Sequence, residues 1–81
     1  MITLYHGTSK SIGDKILKCG YINPYTYFSK SKEMALYYAS MRSRQTSLFQ
    51  VEVDDSDINT NFYVQDYFQN KCHLKTFKKI K

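Results

Sequence analysis

The order in which strand and helix signals follow one another constrains the fold of this chain most. Five segments alternate between strand and helix signals, namely residues 2–6, 11–20, 25–29, 32–43 and 48–53. Two β-prone segments follow, Phe62 to Phe68 and Leu74 to Ile80, and Asn70-Lys71 between them predicts a hairpin turn. Because the chain ends in consecutive strands, the β-α-β-α-β-β-β order predicts an α+β fold rather than a doubly wound sheet.

Both predicted helices have residues typical of helix ends. Ser11 followed by Asp14 predicts an N-terminal capping box, and Gly20 stands where a left-handed glycine would end the first helix. Cys19 falls on the apolar stripe of that helix, so we expect it in the core. Ser31 is the predicted N-cap of the second helix.

Composition fits a single globular domain over residues 1–81, because the aromatic content of 16% is high for a disordered chain. The formal net charge is +5, with lysines concentrated near the end of the chain: Lys71, Lys75, Lys78, Lys79 and Lys81. Such a cluster is typical of a solvated tail. It also favours an acidic partner, a nucleic acid or a nucleoprotein. Charge alone does not indicate DNA binding, since no groove-fitting element with base-reading side chains is evident.

The cysteine spacing and the hydropathy of the sequence indicate whether the chain binds metal and in which cellular compartment it works. Cys19 and Cys72 lie far apart, with no CxxC motif or Cys/His cluster, so we expect no zinc or other metal site. The sequence has no signal-peptide pattern and no apolar run of about eighteen residues. A single disulfide between the two cysteines is the alternative to free thiols. The absence of a signal peptide favours a cytoplasmic protein with free thiols and no membrane contact.

Several short motifs stand at the ends of the predicted strands. Leu4-Tyr5-His6-Gly7-Thr8 ends the first strand, Tyr27-Phe28-Ser29 forms the second, and Tyr38-Ala39 lies on the second helix. Taken singly, His6 is more often a structural or exposed histidine than a catalytic one. The tyrosines, likewise, are individually more often packing residues than ligand-binding ones.

Taken in order, these motifs make residues 3–53 resemble the ADP-ribosyltransferase superfamily. The resemblance is to the diphtheria-toxin-like and poly(ADP-ribose)-polymerase-like branch, which carries a His-Tyr-acid triad. It implies a minimal version of that fold, with a split β-sheet and two helices, and NAD as the cofactor. The related tRNA 2′-phosphotransferases use several arginines with NAD, whereas this chain has only Arg42 and Arg44.

The resemblance assigns the ribose and carboxamide of NAD to the first motif. His6 would hydrogen-bond the nicotinamide-side ribose, and the backbone of Gly7 would pair with the carboxamide. Glycine also lets a ligand approach the backbone closely. Thr8 would either support that contact or cap the following helix.

The resemblance assigns the nicotinamide ring to two tyrosines. Tyr27 and Tyr38 would hold the ring between flat aromatic faces. Ser29 would fix the strand that carries Tyr27.

The acid of the triad is the point at which this chain departs from the family. The family usually has a glutamate at the start of a late strand, where this chain has Gln65-Asp66-Tyr67-Phe68. Asp66 is one candidate for that position and Gln65 is the other. A carboxylate near the ribose stabilises the positive charge that develops when the nicotinamide–ribose bond breaks. Asp66 would supply one and Gln65 would not.

Three functions are compatible with these observations. The first is a mono-ADP-ribosyltransferase that acts on a protein or nucleic acid. A phage or mobile-element inhibitor would carry out this reaction in the cytoplasm of its host. The second is a catalytically inactive ADP-ribosyltransferase-like module that blocks a partner through a basic, tyrosine-rich surface. The third is a plain basic nucleic-acid binder, for which affinity would depend steeply on salt.

Overall fold

A computed structural model describes residues 1–24, 26–60 and 68–81 of the chain. Six strands and two α-helices are found in these residues. The strands are β1 (Ile2–Ser9), β2 (Tyr27–Phe28), β3 (Thr46–Val53), β4 (Ile58–Thr60), β5 (Phe68–Asn70) and β6 (Lys78–Lys79). The helices are α1 (Lys10–Cys19) and α2 (Lys32–Arg42), and a 3₁₀ turn spans Asp55–Asp57. The predicted α+β class is confirmed.

The strands form two antiparallel three-stranded sheets, with orders β1-β3-β6 and β2-β5-β4. One backbone bridge joins the first sheet to the second. The Tyr5 N–H donates to the Ser29 carbonyl at 2.7 Å, and the Ser29 N–H donates to the Tyr5 carbonyl at 2.8 Å. Beyond this bridge β1 and β2 no longer pair, and the opening between them is where the cavity described below lies.

The hydrophobic core is built mainly from alternate residues of β1 and β3 together with the second sheet. Its buried members are Leu4, Ile22, Phe28, Val51, Val53, Ile58 and Phe68. Alternation along a strand places every second side chain on the same face of the sheet, so both long strands contribute to it. Within the described residues, no helix is both long and apolar enough to cross a membrane.

The first helix begins two residues earlier than its sequence pattern predicted. Ser9 is the N-cap, and its Oγ accepts a hydrogen bond from the Ile12 N–H at 3.3 Å. Ser11 was the wrong choice because β1 continues to Ser9, which leaves Ser9 as the last extended residue. Gly20 ends the helix as predicted, with φ of 83°.

Cys19 is exposed, so its predicted place in the core was wrong. The reason is that α1 packs against the sheet through the side of the helix that carries Gly13. A Cβ at Gly13 would lie 2.6 Å from the Ser47 Oγ, so the helix backbone rests directly on β3 at this point. Ile16, one turn on, points the same way and is half-buried, whereas Cys19 lies off this face.

Two small residues let the second helix pack closely against β1. Ser31 is the N-cap, and its Oγ accepts from the Met34 N–H at 3.2 Å. Ala35 and Ala39 are buried, with 5% and 2% of their surface exposed, and they lie against β1. The helix ends at Arg42, one residue before the predicted end.

The predicted hairpin between the last two strands is wrong. β5 pairs with β2 and β4, whereas β6 pairs with the far edge of β3 in the other sheet. Asn70 is a buried residue rather than a turn residue. Its side-chain amide bonds the carbonyls of Asn23 and Cys72, which directs the chain away from β5.

Candidate functional site

One cavity of about 540 Å³ lies where β1 and β2 separate, next to α2. Its volume is in the usual range for a small-molecule site. Strand β1 and the start of α1 supply His6, Gly7, Thr8, Ser9 and Ile12, and the segment containing β2 supplies Thr26, Tyr27, Phe28 and Ser29. Helix α2 supplies Tyr38, Ala39 and Arg42.

All the described residues that the sequence placed in a site line this one cavity. They are His6, Gly7, Thr8, Tyr27, Ser29 and Tyr38. Gln65 and Asp66, the two candidates for the acid, lie outside the described residues. The described part of the cavity wall contains no Asp or Glu.

His6 is held in one orientation by the backbone of the neighbouring strand. Its Nδ1 atom lies 2.8 Å from the Tyr27 carbonyl oxygen. A carbonyl only accepts hydrogen bonds, so Nδ1 carries the proton. In the neutral ring Nε2 is then the acceptor, available to a ligand hydroxyl or N–H group.

The neutral form of His6 is also the favoured one. Burial lowers the pKa of His6 below its ordinary value of 6.5, although the hydrogen bond to the Tyr27 carbonyl opposes this. The nearby positive charge of Arg42 lowers the pKa further. The imidazole is therefore an uncharged hydrogen-bond acceptor at neutral pH.

The backbone of Gly7 faces the opening between β1 and β2. Tyr5 directs its N–H and C=O toward Ser29, and the backbone groups of residues two apart on a strand point to the same edge. The partner of Gly7 on β3 is Leu48, which turns its own N–H and C=O toward Ile80 and Lys81. Gly7 therefore offers a donor and an acceptor at the open edge of β1.

No backbone hydrogen bond joins Gly7 to β2 in the described part of the chain. An adjacent N–H and C=O on one strand edge match a primary amide, which has one acceptor oxygen and a donor nitrogen. The edge at Gly7 is thus suited to a carboxamide.

The structure gives a further reason for glycine at this position. A Cβ at Gly7 would lie 2.1 Å from the Ala35 carbonyl oxygen and 3.1 Å from the Ala39 Cβ. The missing side chain therefore makes room for α2, which brings Tyr38 to the cavity. Close approach of a ligand to the Gly7 backbone stays a prediction.

The two predicted ring-binding tyrosines come from different elements. Tyr27 lies on β2 with 54% of its surface exposed, and Tyr38 lies on α2 and is half-buried. Ser29 directly follows β2, and its role in fixing that strand stays a prediction. Its backbone forms the bridge to Tyr5, and its Oγ accepts from the Ser31 N–H at 3.1 Å.

Thr8 is buried, with 9% of its surface exposed, and lines the cavity. It does not cap α1, because Ser9 does. Of its two predicted roles, support of the Gly7 contact is the one that remains.

Arg42 is the charged residue of the described cavity wall, and the sequence analysis gave it no part in the site. It follows Tyr38 by four positions and Ala39 by three, so all three share one face of α2. This spacing from Tyr38 and Ala39 was the sequence signal that could have placed Arg42 in the site. Arg42 supplies a positive charge beside His6 in a cavity whose other described walls are uncharged.

Comparison of the chain with protein-family models, curated proteins and solved structures finds no match. The geometry of the cavity is therefore the basis for a functional proposal.

Proposed function

We propose that this chain is an NAD-dependent mono-ADP-ribosyltransferase. The observation that carries the proposal is the meeting of three kinds of group in one cavity. They are the Nε2 acceptor of a neutral His6, the backbone donor and acceptor of Gly7, and the aromatic side chains of Tyr27 and Tyr38. A nicotinamide riboside has a hydroxyl, a carboxamide and a flat ring that correspond to these groups in turn.

The cavity residues fit the nicotinamide half of NAD on chemical grounds. The Gly7 N–H would donate to the carboxamide oxygen, and the Gly7 carbonyl would accept from its nitrogen. Tyr27 and Tyr38 would contact the two faces of the ring. Arg42 would attract the diphosphate, since a guanidinium binds phosphate oxygens in a bidentate manner.

NAD supplies a nicotinamide–ribose bond that breaks with its electron pair passing to nicotinamide, while an acceptor atom bonds to the ribose carbon and loses a proton. His6 would accept a hydrogen bond from a ribose hydroxyl through Nε2. A neutral imidazole suits this place, because a cation would oppose the positive charge that develops on the ribose. Asp66 would supply the opposing negative charge.

A second candidate is a binding module with the same fold and no transfer activity. The observation in its favour is the absence of a carboxylate from the described part of the cavity wall. In this case NAD or nicotinamide would bind without being cleaved.

Nicotinamide release from NAD tests the first proposal, with a cell extract supplying protein and nucleic-acid acceptors. We expect release by the wild-type chain and a loss of about 100-fold or more in His6→Ala. The matched control is His73→Ala, which removes the other histidine of the chain, an exposed one. Equal rates in the two variants would contradict the assigned role of His6.

Nicotinamide binding, followed by ligand-observed NMR, separates the two candidates. Both predict binding that Tyr38→Ala weakens and Tyr21→Ala leaves unchanged, because Tyr21 is outside the cavity. Only the transferase predicts nicotinamide release that Asp66→Asn lowers. Binding without release would favour the inactive module. No binding would exclude the transferase and would exclude an NAD site in the inactive module.

A further inference from the structure

Three aspartates and the two arginines of this chain lie at opposite ends of β3. Asp54, Asp55 and Asp57 follow the end of that strand, whereas Arg42 and Arg44 precede its start. β3 has 8 residues, which span about 26 Å at about 3.3 Å per residue. A basic end and an acidic end therefore lie on opposite sides of the domain.

The basic end is the one that carries the cavity. Arg42 and Ser9 both line the cavity, and Ser9 pairs with Thr46 at the start of β3. The Lys10 N–H donates to the Gln45 carbonyl at 2.9 Å, which places the residue after Arg44 beside the start of α1. Arg44 is exposed here.

Exposed aromatic and apolar side chains stand next to these arginines on α2. The ring of Tyr37 is 5.8 Å from that of Tyr38, at an interplanar angle of 59°. Tyr37 is 57% exposed, so the two neighbouring rings extend from the cavity wall to the protein surface. Met41 lies one turn after Tyr37 and is 68% exposed. We use the name α2 face for the exposed side chains of Tyr37, Met41 and Arg42 on α2, together with Arg44, which lies two residues beyond the end of the helix.

We propose that the α2 face binds single-stranded nucleic acid and presents it to the cavity as the acceptor. Proteins that bind single strands combine cations, which track the phosphates, with aromatic rings, on which bases stack. Tyr37 offers the ring and Arg44 offers a cation. Arg42 adds a second cation when no NAD diphosphate occupies it. The role as an acceptor site rests on the proposed transferase function, whereas the binding itself does not.

An acidic peptide fits this face less well. Its carboxylates would pair with the two guanidiniums, but it would leave the exposed ring of Tyr37 and the thioether of Met41 without a matching group. A duplex also fits less well, because its bases are already stacked on one another. An exposed ring on the same helix as a cation therefore favours unpaired bases.

Fluorescence anisotropy with the full chain tests this proposal without any NAD. The probes are a labelled single-stranded oligonucleotide of mixed sequence, its duplex and a labelled polyglutamate peptide. We expect the single strand to bind most tightly. Tyr37→Ser should weaken its binding by about tenfold or more, whereas Tyr37→Phe should retain it, because phenylalanine still stacks.

The arginines are tested by salt dependence. Removing one phosphate contact lowers the slope of log affinity against log salt concentration by about 0.7 for a single strand. We expect this decrease in Arg44→Gln. The matched control is Lys71→Gln, which removes the same charge at the acidic end, where the Lys71 N–H donates to the Asp57 carbonyl.

Three results would overturn the proposal: tighter binding of polyglutamate, equal binding of duplex and single strand, or equal effects of Tyr37→Ser and Lys71→Gln. If the anisotropy experiment contradicts nucleic-acid binding, the expected nicotinamide release by the wild-type chain is unaffected. Conversely, the absence of nicotinamide release leaves the anisotropy result standing, so the two proposals fail separately.

Discussion

The Nδ1 atom of His6 lies 2.8 Å from the carbonyl oxygen of Tyr27, so a side chain of β1 is held by the backbone of β2. This bond crosses the opening at which the two sheets separate. It fixes the imidazole and the strand that carries the Tyr27 ring with respect to each other. Two of the proposed NAD contacts are thus coupled, and a change at His6 should affect both.

The lowered pKa of His6 predicts how stability depends on pH. Below pH 6.5 the unfolded chain takes up a proton on this residue before the folded chain does. The free energy of unfolding should therefore fall as the pH drops below 6.5 toward the lowered folded-state value. Urea unfolding between about pH 7 and about pH 5 measures this. His6→Gln should show a smaller fall, and His73→Gln should behave like the wild type. Equal falls in both variants would contradict the prediction.

Gly7→Ala should destabilise the chain by about 1–3 kcal/mol, the usual cost of overpacking. The new Cβ would meet backbone atoms of Ala35, so α2 must move and carry Tyr38 with it. Nicotinamide binding should weaken as well. Gly20→Ala is the matched control, since its Cβ has nothing within 4 Å and its cost of about 1–2 kcal/mol comes from the positive φ. Gly20→Ala should leave nicotinamide binding intact, and a Gly7→Ala variant that does the same would contradict the prediction.

Local sequence patterns predicted much of the candidate site. The strand that carries His6 and Gly7, the helix that carries Tyr38 and Ala39, and the cap at Ser31 each follow from neighbouring residues alone. The cavity forms where these elements meet. Gly7 and Ala39 illustrate the point, since these two small residues belong to separate motifs and a Cβ at Gly7 would lie 3.1 Å from the Ala39 Cβ.

Features that depend on contacts between distant residues were not predictable in the same way. Asn70-Lys71 has the composition of a turn, but the Asn70 side chain bonds residues that lie far away in the sequence, in the loop before β2. Cys19 follows the apolar period of α1, but the close approach of Gly13 to Ser47 rotates that helix so that another face is buried. Tertiary packing decided both cases.

Ser47→Ala should raise the free energy of unfolding by about 1 kcal/mol. The Ser47 Oγ is buried and has no hydrogen-bond partner in the described structure, and an unsatisfied buried hydroxyl costs about 1–3 kcal/mol. Ser47→Val should have the opposite effect, because its extra methyl groups would press on Gly13. Urea unfolding of the two variants measures the difference, and a less stable Ser47→Ala would show that the hydroxyl does find a partner.

Asn70→Ala should cost roughly 2–4 kcal/mol, because three hydrogen bonds at about 0.5–1.5 kcal/mol each are lost. The Asn70 Oδ1 accepts from the Thr26 N–H, and its Nδ2 donates to the carbonyls of Asn23 and Cys72. Asn70→Asp should be at least as damaging, since a carboxylate cannot donate to the carbonyls of Asn23 and Cys72. Asn23→Ala is the control, because it keeps the backbone carbonyl that Asn70 uses. Hydrogen exchange at the Thr26 amide should accelerate in both Asn70 variants and not in Asn23→Ala. Unchanged exchange would mean that Asn70 does not hold the segment leading to Tyr27.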